Sequence, residues 1–181
     1  MENILFIHKF LKNWREIGSV APSSKFLVEK MVQPVDFDNA LVIVEFGPGS
    51  GCITKELLRK MRKDAKLIVF ETNKDFYRDL HKIKDSRITI YNESAVNLEK
   101  HLGQNSVDVI VSGIPLAVLK NKDKFSLLKS SYNSLVSGGK YIQFQYSLES
   151  QKELEDTFGS ISIDFTPLNI PPAFVFSCLK K

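Results

Sequence analysis

Apolar positions in this chain fall into short runs that alternate with helical spacings. Leu41 to Val44 is a run of four, fit for a strand buried on both faces. Glu45 follows it, then a turn with glycines at 47, 49 and 51, then a helical pattern from Cys52 to about Arg62. The alternation continues with a strand over Lys66–Phe70, a helix over Lys74–Ile83 with Phe76, Tyr77, Leu80 and Ile83 inward, and a strand over Arg87–Tyr91. Val107–Val111 reads as a fourth strand, about Lys122 to Leu135 as a helix, and Ser137-Gly138-Gly139 as a turn into a fifth strand, Lys140–Tyr146. A helix from about Leu148 to Phe158, stopped by Gly159, precedes two strands near Ser160–Thr166 and Ala173–Leu179. Such alternation predicts an α/β domain with a parallel sheet and ligands at the C-terminal ends of its strands.

Two further helices are expected before that core. Ile4, Ile7, Phe10, Leu11, Trp14 and Ile17 share one face of a helix over residues 1–17, with Lys9, Lys12 and Arg15 largely on the other. That face either packs on the domain or docks at an anionic membrane surface, and the spacing leaves both open. Pro22, Ser23 and Ser24 open a second helix with Phe26, Leu27, Lys30 and Met31 on its buried side, ended by Pro34. Residues 1–181 thus read as one domain, a helical cap over 1–33 and a Rossmann-like core over 34–181.

Composition narrows the class without fixing it. At 181 residues and 43% hydrophobic, with thirteen Phe, the chain has ample material for one core. Its apolar runs are too short to span a bilayer, and Glu2, His8 and Lys9 break up any secretory leader. Cys52 and Cys178 offer neither a disulfide framework nor metal spacing, so no metal and a cytoplasmic setting are expected. A net charge of +4 is compatible with anionic lipid or nucleic acid and diagnostic of neither.

The chemistry lies at the strand ends. Glu45 with the glycine turn, Glu71, Ser94–Ala95, Ser112–Pro115 and Tyr146 converge there. Glu71 ends the second strand, where an acid is placed to accept hydrogen bonds from ribose hydroxyls. Gly-Pro-Gly-Ser-Gly is not the dinucleotide spacing, and Glu45 before it would repel a pyrophosphate. No Gly-Lys-Ser follows to cradle ATP phosphates. An acid at this point suits a ligand with an ammonium and a sulfonium, and S-adenosylmethionine fits best. His8, His81 and His101 fall on surface helices or loops with solvated or capping roles, and Arg59, Lys60, Arg62 and Lys63 read as a solvated helix end.

The run Glu45-Phe-Gly-Pro-Gly-Ser-Gly resembles the first motif of class I S-adenosylmethionine-dependent methyltransferases. More narrowly, Phe10–Asn13, Gly18–Ser24, Glu45–Thr54, Ser112–Pro115, Gln143–Tyr146 and Asn169–Ala173 resemble, in order, the motifs of bacterial phospholipid N-methyltransferases. The resemblance implies a seven-stranded, mostly parallel sheet with an antiparallel last strand and helices on both faces. It also implies methylation of phosphatidylethanolamine and its methylated intermediates towards phosphatidylcholine, by an enzyme peripherally attached to the inner face of the membrane. Glu45, Gly47, Gly49 and Gly51 would lie against the methionine part of the cofactor, with Thr54 also on the cofactor side. Glu71 would hold the ribose, and Ser94 and Ala95 would flank the adenine. Ser94 stands where the family often has Asp, and Glu93 beside it supplies an acid. Ser112, Tyr146 and Asn169 would line the acceptor side and carry the catalytic roles, Ser112 also touching the cofactor. An rRNA adenine N6-methyltransferase has a similar core but carries Asn-[LIP]-[PA]-aromatic after the fourth strand. Here that turn is Ser112-Gly113-Ile114-Pro115-Leu116, which argues against a nucleic acid partner. A small-molecule methyltransferase is a further alternative.

Overall fold

The computed structural model describes residues 23–181, so the expected helix over residues 1–17 and its membrane-docking face lie outside the described residues. Helix α1 (Lys25–Val32) comes first, capped by the Ser24 hydroxyl, which accepts the Leu27 N–H at 3.2 Å. Strand β1 (Val42–Phe46), α2 (Cys52–Lys60), β2 (Lys66–Phe70), α3 (Lys74–Leu80) and β3 (Ile88–Tyr91) follow. A short α4 (Leu98–Leu102) then leads to β4 (Val107–Ser112), α5 (Asn121–Ser134), β5 (Leu135–Gln145), α6 (Gln151–Phe158), β6 (Gly159–Thr166) and β7 (Ala173–Lys180). The seven strands form one sheet in the order β3-β2-β1-β4-β5-β7-β6, in which β7 alone runs opposite to the other six. The reversal of order on either side of β1 places a crevice over the ends of β1 and β4.

Strand alternation divides the core in two. Ile43, Leu67, Val69, Val109, Val111 and Ile142 face α1 and α2, where Leu27, Met31, Ile53 and Leu57 are fully or almost fully buried. Val44, Phe46, Ile68, Phe70, Ile110 and Tyr141 face the other way, towards Leu98, Leu127, Leu128, Leu154 and Phe158 of α4, α5 and α6.

Several boundaries differ from the sequence reading, each for a tertiary reason. Strand β1 runs on through Glu45, because Glu45 still pairs with Val69 of β2 and Val111 of β4. Strand β5 starts at Leu135, and Ser137-Gly138-Gly139 form a bulge within it, with Gly138 at φ 78°. Helix α1 buries Leu27, Val28, Met31 and Val32, so its inward face is turned by one residue and Phe26 is 40% exposed. In α3 only Leu80 is fully buried; Phe76 and Tyr77 are half-buried. His101 is half-buried among aromatic rings. Its ring lies 4.2 Å from Tyr91 and 5.7 Å from Phe70, and its Nε2 is 3.1 Å from the Glu93 carboxylate.

Candidate functional site

The turn after β1 is built by backbone. The Gly47 N–H donates to Phe70 O at the end of β2, and the Gly113 N–H donates to Phe46 O at the end of β1. Gly47, Gly49 and Gly51 all have positive φ, at 60°, 55° and 77°, which explains glycine at each position of the turn. Around Gly49 a Cβ would meet nothing within 4 Å among the described residues. Gly51 begins α2 without a side-chain cap, which leaves the first N–H groups of that helix for an anionic group.

Gly113 is a residue whose role spacing alone does not reveal. A Cβ placed on it would meet Gly47 O at 2.6 Å, so the loop after β4 presses directly on the glycine turn. Gln143 holds that loop from β5, donating through Nε2 to Ile114 O at 2.9 Å. Gly113→Ala is therefore expected to displace the turn, destabilising the protein by about 1–3 kcal/mol and weakening cofactor binding with it. Thermal unfolding and calorimetric titration with S-adenosylmethionine check this; wild-type affinity in the variant would mean that Gly113 does not set the turn.

Two acids face this turn. Glu45 is 1% exposed, and among the described residues neither carboxylate oxygen has a hydrogen-bond partner of normal geometry; the buried Thr54 hydroxyl likewise has none there. Burial pushes the Glu45 carboxyl up to about 8, offset in part by the Thr54 side chain and raised further by Glu71. Glu71 is also buried. Its Oε2 accepts the Gly49 N–H at 3.3 Å and its Oε1 the Asn73 N–H at 2.8 Å. Burial raises its carboxyl too, against the hydrogen bonds from Asn73, Gly49 and Thr72. Two buried acids with no cation paired to them among the described residues form a site suited to a positively charged group. The unpartnered Glu45 oxygens thus fit the cationic end of S-adenosylmethionine.

The other sequence-derived residues divide. Ser94 caps a short turn, its Oγ accepting the Val96 N–H at 3.5 Å, and Ala95 beside it is buried at the end of β3. Glu93 is engaged with His101 and Asn97, and those hydrogen bonds hold its carboxyl below its ordinary range. Ser112 ends β4, but its side chain alternates away from Glu45. Its Oγ accepts the Ile114 N–H at 3.3 Å, on the α5 side of the sheet that also carries Ile110 and Tyr141. Tyr146 stands on the same sheet face as Glu45, its ring packed edge-on against Phe144 at 5.6 Å. Burial raises its phenol to about 12, with the Asn169 side chain offsetting part of the rise. Asn169 is a buried hub: Oδ1 accepts the Ser24 N–H at 3.1 Å and Nδ2 donates to Pro171 O at 2.7 Å. Its polar groups position Tyr146 and the start of α1. Among the described residues, no group of His, Cys, Asp and Glu is arranged to hold a metal ion.

A ribosomal RNA adenine dimethylase family model matches residues 13–125. The chain is 30% identical over 180 residues to an ornithine lipid N-methyltransferase of Singulisphaera acidiphila, covering 96% of this chain and 94% of that one. It is 28% identical over 102 residues to ribosomal RNA small subunit methyltransferase A of Mycoplasmopsis synoviae, covering 56% of this chain but 38% of the relative. The fold matches the solved precorrin-6y C5,15-methyltransferase of Geobacter metallireducens with a TM-score of 0.69 at 14% identity, over 90% of this chain and 93% of that one.

Proposed function

Since the chain belongs to the ribosomal RNA adenine dimethylase family and is a class I S-adenosylmethionine-dependent N-methyltransferase, we propose that its acceptor is the amine of a membrane-lipid headgroup. Phosphatidylethanolamine and its methylated intermediates are the acceptors that the motif series favours. The ornithine lipid named for the full-length relative offers a primary amine in the same setting. The observation that carries this reading is Tyr146, a buried aromatic on the same sheet face as Glu45, at the strand ends that also bear Glu71. Such an edge suits an amine that gains methyl groups and ends as a quaternary cation.

Glu45 would face the cofactor's ammonium, the uncapped start of α2 its carboxylate, and Glu71 its ribose. Bound there, S-adenosylmethionine supplies a methyl group on a sulfonium, open to in-line displacement. The acceptor reaches the site as an ammonium and must lose a proton before its lone pair can attack. Tyr146, held protonated by burial, orients that amine through its phenol oxygen rather than acting as the base, and the proton leaves to water. The cofactor's sulfur would be the leaving group as the amine takes the methyl, and placement of the amine would supply most of the acceleration.

The ribosomal members of the family raise a second reading, methylation of an adenine in RNA. Aligned on Ile114-Pro115, the turn has Gly113 and Leu116 where that chemistry places an Asn and a stacking aromatic. Lipid extracts from a bacterial host without lipid N-methylation of its own, expressing this chain, should gain mono-, di- and trimethylated headgroups by mass spectrometry. Unchanged lipids alongside newly methylated adenine in the host rRNA would reject the lipid reading.

A further inference from the structure

We infer that the protein docks on the bilayer through an apolar rim formed by the start of α1 and the β6–β7 loop, an inference that rests on the lipid reading above. Strand β6 runs parallel to β5, so the loop from Pro167 to Pro172 lies at the same sheet edge as Glu45 and Tyr146. Ile170 is 90% exposed, Leu168 59% and Phe165 48%, and Phe26 faces outward beside them. A groove of about 560 Å³ between Phe26, Lys30, Phe165 and Leu168 continues the patch. An exposed apolar cluster of this kind marks an interaction surface.

Three observations select a bilayer as the occupant. Asn169 lies within the loop itself, between Leu168 and Ile170, and reaches Tyr146 and Ser24, so the rim is continuous with the acceptor side of the site. The Lys25 ammonium sits 5.3 Å from the Phe26 ring centroid, a basic and aromatic pair suited to the level of anionic headgroups. Residues 1–22, with Lys9, Lys12 and Arg15 against Glu2 and Glu16, join the described residues at Ser23, next to the contact between the Ser24 N–H and Asn169. The groove is the size of a small-molecule site, not of a packed helix, and Ile170 projects from the surface rather than lining it. A bilayer met by this rim presents a headgroup amine to Tyr146 without extracting the lipid.

The test compares the full chain with Leu168→Ser/Ile170→Ser, neither residue being part of the cofactor or acceptor machinery, and with Phe125→Ser as an equally exposed control on α5. Vesicles of phosphatidylethanolamine and phosphatidylglycerol are sedimented with each protein, and calorimetric S-adenosylmethionine binding verifies that the site is intact. The rim variant is expected to partition about tenfold more weakly and to lose vesicle methylation in parallel. It should keep wild-type methylation of short-chain monomeric phosphatidylethanolamine, while Phe125→Ser behaves as wild type throughout. Unchanged vesicle partitioning by the rim variant overturns the inference. With that unchanged partitioning, a lipid-free shift in the emission of Trp14, the sole tryptophan, would assign the rim to residues 1–17, and conversion of a dimer to a monomer would assign it to a second copy. Rim-dependent vesicle binding by a protein that methylates no lipid in any form would instead reject the lipid reading and leave the rim standing.

Discussion

Glu45→Gln is expected to weaken S-adenosylmethionine binding by about a hundredfold while making the unliganded protein more stable at neutral pH. The two effects have one origin. In the folded protein the Glu45 carboxyl holds its proton up to about pH 8, whereas in the unfolded chain it releases it near its ordinary 4.5. Between those values the folded state binds more protons, so stability falls as pH rises through the window. At pH 7 this costs on the order of 3 kcal/mol, which the amide would relieve. A cationic ligand binds the ionised carboxylate, so wild-type affinity should rise with pH from about 5 to about 8, with proton release on binding. The variant should lose that dependence. Calorimetry in buffers of different ionisation enthalpy, with thermal unfolding at the same pH values, measures all of this. A Glu45→Gln protein that binds as the wild type does, with the same pH profile, would remove Glu45 from the cofactor site.

Tyr146→Ala is expected to lower the methylation rate about a hundredfold with S-adenosylmethionine affinity nearly unchanged, because the residue acts on the acceptor. Tyr146→Phe separates two contributions. The ring face stabilises the methylated cation and survives in Phe, at a value of about 0.5–2 kcal/mol, whereas the phenol oxygen that orients the amine does not. Tyr146→Phe should therefore fall between wild type and Ala. With its phenol raised to about 12, Tyr146 should not define the alkaline limb of the pH–rate profile, and Tyr146→Phe should keep that limb in place. A Phe variant as slow as Ala would mean that the oxygen carries the whole effect. A shifted alkaline limb would mean that the phenol itself titrates during turnover.

The sheet was legible because buried parallel strands are near-continuous apolar runs bounded by glycines and acids, as at Val42–Phe46 and Lys66–Phe70. The grouping of Glu45, the glycines and Glu71 was legible from the glycine turn and from the acid that follows Lys66–Phe70. What stayed hidden depends on contacts between distant residues. Strand β1 continues through Glu45 only because strands on both sides still pair with it. Gly113 is constrained by the Gly47 carbonyl, which local pattern does not reveal. Asn169 reads as an acceptor residue from its motif, yet its amide is held by Ser24, 145 positions away. Ser112 follows the expected strand Val107–Val111, but β4 extends to include it and the alternation turns its side chain to the sheet face opposite Glu45. The outward Phe26 follows from the phase at which α1 packs, which spacing left one residue out.

The lipid assignment is tested most directly by one competition. Purified full-length protein, methyl-labelled S-adenosylmethionine, phosphatidylethanolamine vesicles and protein-free ribosomal RNA are incubated together, and the label is counted in the lipid and RNA fractions. The account predicts label in the lipid fraction, on the headgroup nitrogen, and none above background in the RNA. Label in RNA with an unlabelled lipid fraction would contradict it.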